Sequence, residues 1–219
     1  MSILSLAPEL VRETLAPCLE DRDLLALRSV CRFFRSVEIN IPFVFPLTRE
    51  SSRRFAKDPE FRERVMAAAK GESLLVSLDL RSCRYVTDVS MLGNVHKLVL
   101  RDCQGVTDVS ALRNVEELDL NNCNTITGVS MLKNVRKLNL GSCFFGEDVS
   151  ALRNVRELNL SCCHDVKDVG VLGNVHKLNL SWLWRVADVS ALGNVQELNL
   201  TGCISVTDVS KLGNVRKLN

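Results

Sequence analysis

Aromatic residues are scarce in this chain, at 5%, with one tyrosine and two tryptophans among 219 residues. Any place where rings gather therefore departs from the background. Histidine is scarcer still, with three. His96, His164 and His176 are not set in order with a serine or cysteine and an acid, as nucleophilic catalysis requires. A glycine-rich phosphate loop is missing, and the carboxylates recur at fixed intervals rather than converging. These absences point away from an enzyme, and none of them asks for a cofactor.

An excess of one charge is lacking too. The net charge is +2, with 12 basic and 11 acidic side chains in residues 1–72 and 16 against 15 in the rest. Nothing builds the basic stripe that a phosphate backbone requires, so a nucleic-acid partner is not expected. No apolar run is long enough to span a membrane. The opening MSILSLAPELVRETL carries Glu9 and Glu13 and no basic leader, which is not the pattern of a secretory signal. The expectation is a cytoplasmic or nuclear protein with no membrane partner.

What the chain does have is a phrase of 20 residues, clean in Asn94 to Arg113 as NVHKLVLRDCQGVTDVSALR. Units begin at Leu74, Asn94, Asn114, Asn134, Asn154, Asn174 and Asn194, with a stub at Asn214. A fixed short period predicts a solenoid. The apolar positions of one unit are Val95, Leu98, Leu100, Cys103, Val106, Val109 and Leu112, and the alternation at Leu98 and Leu100 is that of a strand. Asp108 is placed to cap a short helical turn over VSAL. Gly or Asn at the unit boundary suits a left-handed backbone leading into the next strand.

Cysteine is abundant and odd in number, at nine. Cys83, Cys103, Cys123, Cys143, Cys163 and Cys203 share one repeat position, where Leu183 substitutes once. A position that accepts leucine is a buried apolar site, so these are expected to be free core thiols rather than disulfides. Cys162, Cys163 and His164 are contiguous and lack the spacing of metal ligands. No metal site is expected.

The repeated phrase resembles the leucine-rich repeat, whose skeleton LxxLxLxx(N/C)xL is met by Val95, Leu98, Leu100, Cys103 and, one residue late, Val106. The resemblance covers about two-thirds of the chain. The DVSAL half looks like the repeats of bacterial internalin-type proteins, and Cys at the Asn or Cys position looks like the class found beside F-boxes. The resemblance implies an α/β chain whose solenoid has a parallel sheet on its concave face and short helical or extended returns on the convex one.

Residues 5–37 carry two amphipathic stretches, one with Leu6 and Leu10, the other with Leu24, Leu27, Cys31 and Phe34. By periodicity they are a helical cap for the repeats. By wording they resemble the F-box. Leu6, Glu9 and Leu10 match its opening LPxEL, although Ala7 separates Leu6 from Pro8. Asp23, Leu24, Leu27, Val30, Cys31, Arg32, Phe34 and Arg35 match its closing DLLxLxxVCRxFR. The resemblance implies docking on a Skp-type adaptor of a cullin-RING ubiquitin ligase through Leu6, Pro8, Leu10, Leu24, Val30 and Phe34, with the repeats holding a client protein. The rival readings are a plain repeat scaffold without any link to ubiquitin and a secreted or surface repeat protein.

The domains expected are an F-box-like helical module at 1–40, a linker and capping helix at 41–73, and the solenoid at 74–219. Residues 38–50 are too apolar for a flexible tether and should pack. Asp58, Pro59 and Gly71 bracket a helix with Phe61, Val65, Met66 and Ala69 on one face, suited to cover the first repeat. At the other end the chain stops at Lys217, Leu218 and Asn219, where every earlier unit continues with leucine, and an open apolar end is expected to self-associate.

Two rows of strand residues face away from the core. Lys97, Glu117, Lys137, Glu157, Lys177, Glu197 and Lys217 alternate in sign and neutralise one another, while Asn139, Asn159, Asn179, Asn199 and Asn219 form an amide row able to bond to itself. The regularity breaks just after the strand, at Phe144 and Phe145, at His164, and at Trp182, Trp184 and Arg185. Phe144 and Trp184 share a slot two units apart, so about 10 Å separates them on a regular coil. Either the rings fill a core of locally different shape, or they are where the client binds.

Overall fold

The computed structural model describes residues 43–46, 49–70, 74–84, 86–124, 126–146 and 148–219. The helical segment expected over 5–37, with Leu6, Pro8, Leu10, Leu24, Val30 and Phe34, lies outside the described residues. Gly71 lies outside them as well. The described residues up to Leu80, with Val95–Lys97, form one compact unit, and Arg81–Asn94 with Leu98–Asn219 form another.

In the first unit β1 (Phe43–Pro46) pairs in parallel with β2 (Leu74–Asp79), Phe43 opposite Leu74 and Pro46 opposite Ser77. The strand falls in the apolar segment predicted to pack. Between the two come α1 (Arg49–Lys57) and α2 (Pro59–Lys70), both lying against β2. Asp58 Oδ1 accepts the Phe61 N–H at 3.0 Å, so it caps α2 as the sequence implies, and that bond is the main cause holding its carboxyl below the ordinary value. Helix α1 was not legible. Its buried side chains are Ser51, Ser52 and Phe55, so two-thirds of its inner face is hydroxyl rather than hydrocarbon. Ser52 has a specific task there: its Oγ accepts the Asp79 N–H at the end of β2, at 3.1 Å. Arg62 then ties the helices together, donating from Nε to Phe55 O at 3.0 Å and from Nη2 to Ala56 O at 2.9 Å. Those carbonyls end α1 and have no partner of their own within the helix.

The second unit repeats one coil. Strands β3 (Lys97–Val99), β4 (Glu117–Asp119), β5 (Lys137–Asn139), β6 (Glu157–Asn159), β7 (Lys177–Asn179), β8 (Glu197–Asn199) and β9 (Lys217–Leu218) follow one another in sequence order. From β4 to β9 every pairing is parallel with a shift of one repeat, as in Leu118 opposite Leu138. The seven apolar positions read from the sequence are the core. Leu98, Leu100, Cys103, Val106, Val109, Leu112 and Val115 are each at most 1% exposed. Each buried leucine or valine contributes about 1.5–3 kcal/mol of transfer free energy. A coil gains it only when its neighbours close over it.

After each strand the chain turns through a single left-handed residue: Ser82, Asp102, Asn122, Ser142, Cys162 and Trp182 with φ of 56–66°, and Gly202 at 75°. This corrects the expectation for the unit boundary. Gly93, Gly173 and Gly193 there are right-handed, with φ of −67°, −59° and −60°. In those coils a Cβ on Gly93 or Gly173 would strike the carbonyl of Ala111 or Ala191 in the next coil, whereas Arg113, Lys133 and Arg153 hold the same right-handed position in the others.

The left-handed residue continues the sheet ladder beyond the strand. Its N–H donates to the following coil, as from Asn122 to Gly141 O at 2.8 Å and from Trp182 to Thr201 O at 2.7 Å. Each return is a short 3-10 turn, such as Ser110–Leu112. Asp88, Asp108, Asp148, Asp168, Asp188 and Asp208 each accept the N–H two residues on, at 2.8–3.0 Å. The Ser110, Ser150 and Ser210 N–H groups are the main cause lowering the pKa of Asp108, Asp148 and Asp208.

Cys83, Cys103, Cys123, Cys143, Cys163 and Cys203 are free and buried, and Leu183 in the same slot is fully buried. The thiols do more than fill space. Cys123, Cys143, Cys163 and Cys203 donate to Leu100, Leu120, Leu140 and Leu180 O in the preceding coil, at 2.9–3.0 Å. Burial pushes Cys103 up to about 11 and Cys123, Cys143 and Cys163 up to about 12, so almost none of their thiolate exists near neutrality. In the native protein Cys162, which is only half-buried, is expected to react with a thiol reagent well before these four. The unfolded, unreduced chain should titrate nine thiols. Mass mapping that finds the four labelled as fast as Cys162, or bridged in pairs, would contradict a closed thiol row.

Candidate functional site

Several charges of the strand face pair with a neighbour in the adjoining coil. Lys137 Nζ lies 2.8 Å from Glu117, and Glu197 takes Lys177 at 3.4 Å and Lys217 at 3.2 Å. Hydrogen bonding to Glu117 raises the Lys137 pKa, and Lys217 is the largest cause lowering that of Glu197. The amide row bonds to itself between Asn159 Nδ2 and Asn139 Oδ1, at 2.9 Å. Its shared task is different. The oxygens of Asn139, Asn159, Asn179 and Asn199 accept the N–H groups of Gly141, Ser161, Ser181 and Thr201, at 2.9–3.1 Å. Each amide thus clamps the bend that carries the left-handed residue.

Just past that bend one repeat slot reads Arg84, Gln104, Asn124, Phe144, His164, Trp184, Ile204. It changes from polar to largely apolar halfway along, on coils that stack in register. Phe144 is 45% exposed and Trp184 51%. Phe144 is fixed through its backbone, its N–H donating to Asn124 O and its carbonyl accepting from Ile126, each at 2.9 Å. Ile204, 81% exposed, belongs to the same row and was overlooked in the sequence, although its register alone identifies it.

Phe145 behaves differently from its neighbour. It is only half-buried, and the next residue, Gly146, stands where Val106 and Ile126 fill the core of other coils. Gly146 has φ +94° and open space around its α-carbon. Core irregularity of the kind weighed for the aromatic cluster is therefore confined to this coil. Arg185 is exposed.

Trp184 is held from both sides. Its Nε1–H donates to His164 Nδ1 at 3.1 Å, with ring centroids 6.3 Å apart, and Ser205 Oγ donates to its carbonyl at 2.6 Å from the following coil. Trp182 occupies the left-handed position, φ 66°, where four other coils place Ser, Asn or Asp. Such a backbone costs a side-chain-bearing residue about 1–3 kcal/mol. Its indole is 58% exposed and lies across Gly202, where an added Cβ would be 2.6 Å from Cε3. The opposite glycine is what lets the ring lie down. Among the described residues no group of three or more His, Cys, Asp or Glu could hold a metal ion.

Gly202→Ala should therefore displace the Trp182 ring and meet an unfavourable φ of +75°. We expect a loss of about 1 kcal/mol or more in stability together with a change in tryptophan emission. Gly146→Ala, equally left-handed but unobstructed, should lower stability without touching the emission. Equal spectra for wild type and Gly202→Ala would refute the stacked arrangement.

A leucine-rich-repeat family model matches residues 151–173. Among solved structures, an internalin of Listeria monocytogenes is similar with a TM-score of 0.57 and 21% identity, over 78% of this chain and 54% of the internalin. A second internalin of that organism gives 0.45 and 21%, over 67% of each chain. A leucine-rich-repeat protein of Leptospira interrogans gives 0.44 and 15%, over 80% of this chain and 58% of its own. The chain thus spans about half the length of the first internalin. No curated protein matches it. With the in-register parallel strands, the buried seven-position pattern and the family match, the repeats of this chain are a leucine-rich-repeat solenoid.

Proposed function

We propose that the chain is a non-catalytic protein-interaction scaffold whose partner seats on the bend-side edge at Phe144, Phe145, His164, Trp182, Trp184 and Arg185, with Ile204 extending the row. One observation carries the reading. On a coil where several strand-face charges pair off, the exposed aromatic side chains among the described residues gather at one edge, and both tryptophans are held there by specific contacts. Tryptophan and arginine dominate binding hot spots, and a fixed aromatic anchor loses little entropy on binding. Trp184→Ala should weaken partner capture by about 2 kcal/mol or more and leave the melting temperature nearly unchanged. Capture that survives both Trp184→Ala and Phe144→Ala would move the site elsewhere.

A second reading adds a role to the N-terminal segment, and the match of residues 23–35 to the F-box closing motif favours it. The domains are then an F-box-like module at 1–40, a linker with helical cap at 41–73 and the client-holding repeats at 74–219. The protein would serve in the cytoplasm or nucleus as the substrate receptor of a cullin-RING ligase, with Leu6, Pro8, Leu10, Leu24, Val30 and Phe34 on a Skp-type adaptor. Replacing Leu10 and Val30 together with Asp should abolish adaptor capture while the repeats stay folded. If the wild-type protein captures no such adaptor, the scaffold stands without ubiquitin.

A further inference from the structure

The bond between Trp184 and His164 constrains protonation. An indole N–H can only donate, so His164 Nδ1, 3.1 Å away, has to keep its lone pair and the imidazole proton sits on Nε2. An imidazolium donates from both nitrogens. Once His164 is protonated, two N–H groups face each other across the same gap, and the bond is lost. Ser205 still holds the Trp184 carbonyl, so the change is confined to the indole.

Around the bend the charged or titratable neighbours are Cys162, Asp165 and Lys167 on the histidine's own coil and Arg185 on the next, while the coil before presents Phe144 and Phe145. Glu147 lies outside the described residues. Further round, Asp148, Asp168 and Asp188 are occupied at the 3-10 turns. His164 is itself partly exposed, so a proton reaches it without unfolding the coil.

We propose that His164 is the positioning residue of the aromatic edge and gates it by pH: the neutral ring presents Trp184 in one orientation, and the protonated ring releases it. The functional meaning rests on the edge being the partner-binding surface. A partner that uses the fixed indole binds at neutral pH and is let go in an acidic environment.

The test is nitrogen NMR on the full chain, following the two indole N–H signals and the His164 ring nitrogens as the solution is taken from about pH 8 to about pH 5. In the wild type the Trp184 signal should move in step with His164, starting from the Nε2–H tautomer, while the Trp182 signal stays. His164→Gln supplies a non-titrating acceptor and should hold Trp184 in its neutral-pH position throughout. His164→Leu should place it in the released position throughout. The proposal is overturned by an Nδ1–H tautomer at high pH, by absence of His164 titration in this range, by a Trp184 signal indifferent to that titration, or by an unchanged response in His164→Leu. None of these readouts needs a partner. Should Trp184 follow His164 while Trp184→Ala leaves capture intact, the binding assignment fails and the coupling stands.

Discussion

Each coil carries seven apolar side chains that it cannot bury by itself, and this requirement governs the repeats. Leu118 of one strand lies opposite Leu138 of the next, and the same holds for every later pair up to Leu198 and Leu218. A parallel sheet with a shift of one repeat stacks like on like, so one successful coil geometry is reused. It also fixes the chain length of a coil, because an insertion inside the pattern would turn leucines outward. The family of contacts is nearest-neighbour, and stability is built up coil by coil.

The closing device is local and polar. A coil of twenty residues must leave its strand sharply, and it does so through a left-handed residue that most side chains tolerate poorly. The preceding Asn offsets this by accepting the N–H two residues on, as Asn159 does from Ser161. The cysteine that follows secures the bend from inside, its thiol on the carbonyl of the previous coil. The amide row, the left-handed row and the thiol row are therefore three parts of one corner. Asp at the far side performs the same service for the 3-10 turn, from the N–H of the residue two further on.

The sequence was most informative where side chains report burial directly. Val95, Leu98, Leu100, Cys103, Val106, Val109 and Leu112 could be assigned to the core because their spacing is fixed by stacking, and Asp58 and Pro59 announce α2 by capping chemistry that is local. Handedness was harder to read. Gly and Asn at the boundary promise a positive φ, yet the promise is kept at Asp102 and Asn122, whose identities vary because any residue can be forced there by the corner. Helix α1 failed for a related reason: Ser51 and Ser52 point inward, and a hydroxyl satisfying a strand end carries no hydrophobic signature. Of the candidate site, register placed Phe144, His164 and Trp184 in one row. It could not tell that His164 accepts from Trp184, since side-chain direction is decided by the coils on either side.

A regular solenoid constrains its inside and its corners far more than the slot just beyond them. Arg84, Gln104, Asn124, Phe144, His164, Trp184 and Ile204 all fit there, so that slot is free to vary without disturbing Leu183 or Cys163 next to it. Freedom alone would give scattered polar residues. What is found instead is a ring supported on Gly202, a second ring held by a histidine, and a serine from the next coil on the backbone between. Trp182 in particular accepts a backbone that Asn or Gly would adopt at lower cost, and it exposes more than half its surface in doing so. The partner proposed for this edge would cover the indole and offset part of the cost taken on at the corner, a demand that the strand face does not make.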